Sequence, residues 1–287
     1  MTAGDVVTPA EGLLLVDKPE GITSHDVIDS VRRTLATRKV GHAGTLDPMA
    51  TGLLLVGIGR ATRLLRFLGD LTKTYEGTLR LGVETDTLDA DGEVIRESSV
   101  DVTQEEVGEA MRALVGESLQ RPPAYSAVKV GGRKLYEAAR AGEQLEAGPR
   151  SIRVDAFDLL SFDPPDAMFR VVCSGGTYVR VLAADVGAAV STGAHLTTLR
   201  RTAIGPYRAE DAVRPDAVHE PLPIEVAVGH LPRLDLDVDE AVAAANGRPL
   251  GPAGIAGPYG VFGPDGRLIG VYEDDGPRAR PQVILAG

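Results

Sequence analysis

Gly41-His42-Ala43-Gly44-Thr45-Leu46-Asp47-Pro48-Met49-Ala50-Thr51-Gly52 is the stretch on which the reading of this chain turns. Its glycines permit tight backbone turns, and Pro48 biases the residue before it toward an extended conformation. The spacing predicts a glycine-rich loop over residues 40–50 that delivers a carboxylate just ahead of a strand-like apolar run at 52–59. A rigid, partly buried Asp47 makes a nucleophile or a general base. In an unconstrained Asp-Pro turn the same side chain would only cap its own backbone. No Gly-Lys-Ser/Thr follows and no dinucleotide fingerprint is present, so a phosphate cradle is not indicated.

Upstream, residues 12–16 read as a buried strand stopped by Pro19. A helix capped by Thr23 or Ser24 runs to about Ala36, with Val27, Ile28, Val31 and Leu35 on one face. Downstream, the pattern predicts a short helix at 61–68, a strand at 75–82 and helices at 103–114 and 133–141. Thr103 and Glu106 have capping-box spacing. Strands follow at 151–162 and 167–173, then a helix at 178–190 after the Gly175-Gly176 turn. Strands and helices that do not alternate regularly predict an α+β body. Proline and acidic residues cluster beyond Pro215, and 222–231 reads as a linker. A helix at 239–246 and strands at 259–262, 268–272 and 282–285 then form a small β-rich module, read as a docking unit.

At 287 residues, with 43% hydrophobic and 25% charged side chains, the chain can build a sizeable core, which excludes disorder throughout. No apolar run reaches the roughly 18 residues a membrane-spanning helix needs, and residues 1–10 show no secretory signal. Cys173 is the only cysteine, so an internal disulfide is excluded and a reducing cytoplasm is expected. Five scattered histidines and one cysteine offer no metal-ligand spacing.

Net charge is −11, which by itself argues against a nucleic-acid partner. The charge is uneven, however. Residues 28–80 hold nine Lys/Arg against four Asp/Glu, 81–119 hold two against eleven, and 120–153 hold seven against three. A basic groove on an acidic body and two solvated faces of opposite sign fit this pattern equally.

Three further stretches bear on chemistry. Tyr75, close to Lys73 at a strand start, suits stacking on a base or ordinary sheet packing. Arg180 follows Gly175-Gly176-Thr177-Tyr178-Val179 in a first helical turn, where a cation opposes the helix dipole. A bidentate pair with Asp47 would resolve that conflict, and the alternatives are an arginine that binds phosphate or simply faces water. Residues 120–136 interleave Arg121, Lys129, Arg133 and Lys134 with Tyr125 and Tyr136, a pattern that suits RNA phosphates and bases.

Taken in order, these segments resemble the bacterial tRNA pseudouridine-55 synthases, the TruB family, over nearly the whole chain. Leu15-Val16-Asp17-Lys18-Pro19 with Gly21-Ile22-Thr23-Ser24 is similar to the first family motif, and Gly41 to Pro48 to the catalytic one. Tyr75 and Gly77, Leu81-Gly82, Thr85-Asp86-Thr87, Asp89 and Gly92 resemble the segment after it. Arg121 to Tyr136 resembles the thumb loop, placed at about 120–145, and Gly176 to Arg180 with Leu182-Ala183-Ala184-Asp185 the third motif. The resemblance implies a mixed, largely antiparallel catalytic sheet over 10–230 and a PUA-like RNA-binding domain over 232–287. It implies that Asp47 attacks the target uridine covalently, Tyr75 stacks on the flipped base and Arg180 pairs with Asp47. Tyr178 and Leu199 would line the pocket, and His42 would support the distorted loop. Arg121, Lys129, Arg133 and Lys134 would meet the RNA backbone. The expected partner is the TΨC arm of tRNA, bound by a monomer that needs no cofactor, metal or obligatory protein partner. The competing readings are a non-catalytic RNA-binding or RNA-folding module, a carboxylate glycosidase, and the partner-dependent, RNA-guided members of the same superfamily, which lack the thumb.

Overall fold

A computed structural model describes residues 10–285 except 144. Residues 1–9, 144, 286 and 287 lie outside the described set, and with them most of the segment read for a secretory signal.

The chain begins with β1 (Gly12–Lys18), α1 (Ser24–Thr34), β2 (Val40–Ala43) and β3 (Thr51–Ile58). A 3₁₀ turn (Gly59–Arg63) leads into α2 (Leu65–Gly69) and β4 (Lys73–Leu81). Next come the hairpin β5 (Val83–Thr85) and β6 (Val94–Glu97), then α3 (Gln104–Ala113) and β7 (Gly116–Gln120). The segment read as a thumb carries β8 (Lys129–Val130), β9 (Arg133–Lys134) and α4 (Leu135–Arg140). A long antiparallel pair, β10 (Arg150–Asp163) and β11 (Asp166–Cys173), leads to α5 (Val179–Ala189), β12 (Ala194–Ile204) and β13 (Tyr207–Arg208). The remainder is β14 (Arg233–Asp235), α6 (Val238–Ala245), β15 (Pro258–Phe262), β16 (Leu268–Asp275) and β17 (Arg278–Ile284). No described helix is long and apolar enough to cross a membrane.

The main sheet runs β1-β3-β12-β4-β11-β10-β7, with β2 on β3 and β13 on β12. All its pairings are antiparallel except β3–β12, which is parallel. That junction positions the site. β1 lies along one edge of β3. The other edge is divided: β2 pairs residues 55–58, and β12 pairs only Thr51 and Gly52. The chain between β2 and β3, carrying Asp47, therefore emerges where the sheet splits.

Several expectations change. The predicted loop at 40–50 starts as β2, because Val40 and Ala43 are buried against β3 and Gly41 lets Leu65 approach. The helix predicted at 61–68 divides into the 3₁₀ turn and α2. The helix predicted at 133–141 begins two residues late, since Arg133 and Lys134 pair with β8. Residues 222–231 are no free linker. Leu222 and Leu13 exchange backbone hydrogen bonds of 2.8 and 3.0 Å, and Ala227 and Val228 are buried. Apolar side chains in this proline-rich stretch are core residues, which a reading of prolines and acids overlooks.

The C-terminal sheet, β14-β15-β16-β17, shares a core with the main body. Phe262, Leu268, Val271, Val283 and Leu285 pack in one cluster with Leu13, Leu53, Leu55, Leu64 and Leu68. Three arginines spaced three apart reinforce the seam. Arg60 donates to the Leu285 carbonyl at 2.5 Å, Arg63 to that of Ile284, and Arg66 to that of Gln282 at 3.0 Å. Part of the positive charge of residues 28–80 is thus engaged by backbone carbonyls. Each fully buried side chain of this kind contributes about 1.5–3 kcal/mol, so five together rival the roughly 5–15 kcal/mol stability of a domain. A chain ending at residue 231 is expected to melt far below the intact protein or to precipitate. A soluble truncation with an unchanged melting temperature would refute this.

Candidate active site

The Asp47 loop is held by its backbone. Leu46 is clamped from both sides by the buried Ser24: its N–H donates to Oγ at 2.9 Å, and its carbonyl accepts from Oγ at 3.1 Å. The Pro48 carbonyl accepts from the Gly21 N–H at 2.9 Å and from Lys18 Nζ at 3.1 Å. The Gly44 carbonyl accepts from Arg201 Nη2 at 3.0 Å. Leu46, Met49 and Ala50 are buried in the largest core cluster, which packs the loop against the body of the protein. Asp47 lies between these anchors with 42% of its side-chain surface open.

Arg180 is the main cationic partner. Its side chain is 6% exposed, and its Nη2 lies 3.3 Å from Asp47 Oδ2. The bidentate pair expected from the sequence does not form, because the guanidinium is shared. Nη1 donates to Asp89 Oδ2 at 3.1 Å, and Nη2 also donates to the Tyr125 carbonyl at 2.7 Å. Two carboxylates and a carbonyl thus offset the unfavourable helix-dipole position in the first turn of α5. Burial pushes the Asp47 pKa up. Arg180 opposes the rise and Asp89 adds to it. Water on the open side tempers the shift.

The other candidates lie as follows. Tyr178 precedes α5, and its backbone is held by buried Gln120, which accepts from its N–H at 2.7 Å and donates to its carbonyl at 3.1 Å. Its ring centre is 5.9 Å from the Arg180 guanidinium carbon. Tyr75 on β4 is buried, and burial raises its hydroxyl pKa while the charge and hydrogen bond of Arg201 oppose the rise. Leu199 sits opposite Gly77 across β12 and β4, where a Cβ on Gly77 would meet Leu199 Cδ1 at 3.2 Å. Leu199 also lines a groove of about 290 Å³ with Met49, Thr51 and Glu76. His42, on β2, is half-buried with Nδ1 buried and unpartnered, and burial followed by the Arg201 charge holds its pKa down.

The segment read as a thumb reaches the site through Tyr125. The Tyr125 carbonyl caps Arg180, and its hydroxyl donates to Asp86 at 3.0 Å. Three of the thumb cations meet local carboxylates: Arg121 to Glu146 and Arg133 to Glu143, both at 2.7 Å, and Lys134 to Glu137 at 3.7 Å. Lys129 is exposed on β8. Among the described residues no group of three or more His, Cys, Asp or Glu is placed to hold a metal.

Four contributors were not singled out as site residues from sequence. Asp89 lies in a run of Thr and Asp that reads as a turn. Lys18 is fully buried with Nζ on the carbonyls of Pro19, Ile22 and Pro48, and burial lowers its pKa to about 8. Ser24 looks like a helix cap. Arg201 lies in a run of Thr and Arg that reads as solvated.

A long mixed sheet with a small C-terminal β sheet packed beside it is the fold of the pseudouridine synthases. The structure aligns with that titled "Crystal Structure of a Cbf5-Nop10-Gar1 Complex" at a TM-score of 0.74 and 25% identity, over 99% of this chain and 91% of that one. Residues 32–179 match the family model described as the N-terminal domain of TruB family pseudouridylate synthase, and 231–286 match the C-terminal domain of tRNA pseudouridine synthase II. The chain is 46% identical to tRNA pseudouridine synthase B of Thermobifida fusca, over 97% of this chain and 99% of that protein. It is 45% identical to the protein of that name from Mycobacterium sp. strain KMS, over 96% of each. The chain belongs to the TruB family and is a pseudouridine synthase.

Proposed function

We propose that this chain isomerises a uridine of tRNA, at position 55 in the TΨC loop, with Asp47 as a covalent nucleophile. The observation that carries this reading is the presentation of Asp47: a backbone anchored on both sides, an open carboxylate, and Arg180 at 3.3 Å. The relatives' shared name supplies the tRNA.

In the net reaction the C1′–N1 bond breaks and a C1′–C5 bond forms. The C5 proton is lost and N1 gains one, so no oxidant, reductant or hydrolytic water is consumed. A base inside a folded loop is out of reach, and extruding it costs a few kcal/mol. Stacking on Tyr75 would return about 1–3 kcal/mol. Tyr178 and Leu199 close the pocket around the flipped base, and His42 supports the opened loop. Arg121, Lys129, Arg133 and Lys134 exchange their present neighbours for phosphates, which makes binding salt-dependent. The chain works as a monomer without a protein partner, since its thumb supplies the RNA contacts a partner would bring.

The deciding experiment incubates purified chain with unmodified tRNA transcript and maps pseudouridine by chemical modification and primer extension. A single stop at the TΨC-loop uridine supports the reading. Tight binding without a stop favours a binding module or a partner-dependent enzyme.

Turnover requires ionised Asp47. Because burial raises its pKa, activity should be lost on acidification at a pH above that at which an ordinary aspartate protonates. A kcat profile flat down to the usual aspartate range would contradict this.

A further inference from the structure

Beneath the site lies a buried cation that the reading above does not use. Arg201 has no exposed surface, and no carboxylate pairs with it among the described residues. Its guanidinium rests on backbone carbonyls, Nε to Leu53 at 2.7 Å and Nη2 to Gly44 at 3.0 Å. A buried charge without a counterion is costly, and an apolar side chain would fill the same space more cheaply.

Its placement suggests what the charge does. The Arg201 backbone pairs with Gly52 on β3 and with Tyr75 on β4. Gly52 has φ +99°, and a Cβ there would fall 2.3 Å from the Arg201 carbonyl oxygen, so the approach requires glycine. The side chain reaches Gly44 at the other end of the Asp47 loop. The guanidinium carbon also lies 6.0 Å from the Tyr75 ring centre. One residue therefore touches the entry of the loop, its exit and the aromatic platform.

We propose that Arg201 is a positioning residue for the isomerisation, tying both ends of the Asp47 loop to Tyr75 and placing a positive charge behind the base that Tyr75 carries. This rests on the reading that Tyr75 stacks on the target uracil. When the Asp47 carboxylate bonds to C1′ and C1′–N1 breaks, the bonding pair stays on uracil, and the carboxylate is displaced again when C5 takes C1′. That pair is withdrawn from N1 and supplied at C5 when the C1′–C5 bond forms, after which C5 loses its proton and N1 gains one. A fixed cation close to the stacked ring stabilises the charge in the interval and needs no reorganisation.

The test is Arg201→Lys and Arg201→Met, each alone and combined with Tyr75→Leu, with melting temperature, tRNA Kd, KM and kcat measured. Arg201→Lys keeps the charge but cannot hold both carbonyls, and its kcat should fall about tenfold. Arg201→Met should lose about 100-fold, the scale of a misplaced or missing electrostatic contact. KM and Kd should stay within about twofold, because Arg201 is buried away from the RNA surface. Combined with Tyr75→Leu, the losses should not multiply, as expected of groups acting through one another. If Arg201→Met does not fold, Arg201→Lys alone decides. Wild-type kcat in Arg201→Lys, a loss confined to KM and Kd, or losses that multiply would overturn the proposal. Normal turnover in Tyr75→Leu would remove the stacking reading and this proposal with it. A slow Tyr75→Leu beside a fast Arg201→Lys would remove this proposal alone.

Discussion

Asp47→Asn is expected to bind tRNA normally while forming pseudouridine on the order of 10⁴-fold more slowly, or not at all, as when a covalent nucleophile is removed. The substitution is nearly isosteric. The hydrogen bonds anchoring the loop at Gly44, Leu46 and Pro48 are made by backbone carbonyls and one backbone N–H, so the loop should keep its shape. Arg180 keeps Asp89 and the Tyr125 carbonyl. The variant should also be at least as stable as the wild type. The folded-state pKa of Asp47 is raised, so near neutral pH its ionised form lowers stability, and that cost fades as pH falls through the folded pKa. Asparagine removes the charge and with it the cost. Primer-extension mapping, a gel shift and thermal melting check the three statements together. Turnover within tenfold of wild type would assign the nucleophile elsewhere.

Arg180→Met should impair both stability and turnover, and a second substitution should separate the two. Asp89 has a 5% exposed side chain and loses the cation paired with it. Leaving such a charge buried and unpaired costs about 3–5 kcal/mol, a fall of roughly 6–20 °C in melting temperature for a chain of this size class. Asp47 loses the opposing charge as well, so its pKa rises further. Adding Asp89→Asn should restore much of the melting temperature, because the orphaned charge is gone. It should not restore turnover, because Asp47 still lacks its guanidinium. Recovery of both together would make Arg180 a structural residue only.

The elements that were legible carry local signals. Thr103 and Glu106 form the capping box that starts α3, with Thr103 Oγ1 accepting from the Glu106 N–H at 3.3 Å. The apolar stripe of Val27, Ile28 and Val31 is the buried face of α1. β12 gave no such signal. Its Thr, Arg and His residues look solvated, yet it is a central strand between β3 and β4, and its polar side chains find partners in the fold: Arg200 on Asp17 at 2.8 Å, His195 on the Val83 carbonyl at 2.9 Å, and Thr197 on that of Thr78 at 3.0 Å. β7 was missed because four of its five residues are exposed at the sheet edge, leaving no apolar alternation.

The sequence by itself determined which residue types are available for chemistry: one loop carboxylate between glycines, an arginine opening a helix, tyrosines beside cations and a single thiol. These follow from backbone freedom and side-chain chemistry over a few neighbours, and they sufficed for the resemblance. Only the tertiary structure decided how the charges are shared. Arg180 lies 133 residues from Asp47 and 91 from Asp89, yet bridges them. Arg60, Arg63 and Arg66 serve a domain seam, whereas Arg201 lies buried under the site. In sequence Arg180 stands out only by opening a helix, and the other four are simply cations. Their differences arise from burial and from partners brought close by strand pairing, and pairing across a sheet is not encoded in any short stretch of chain.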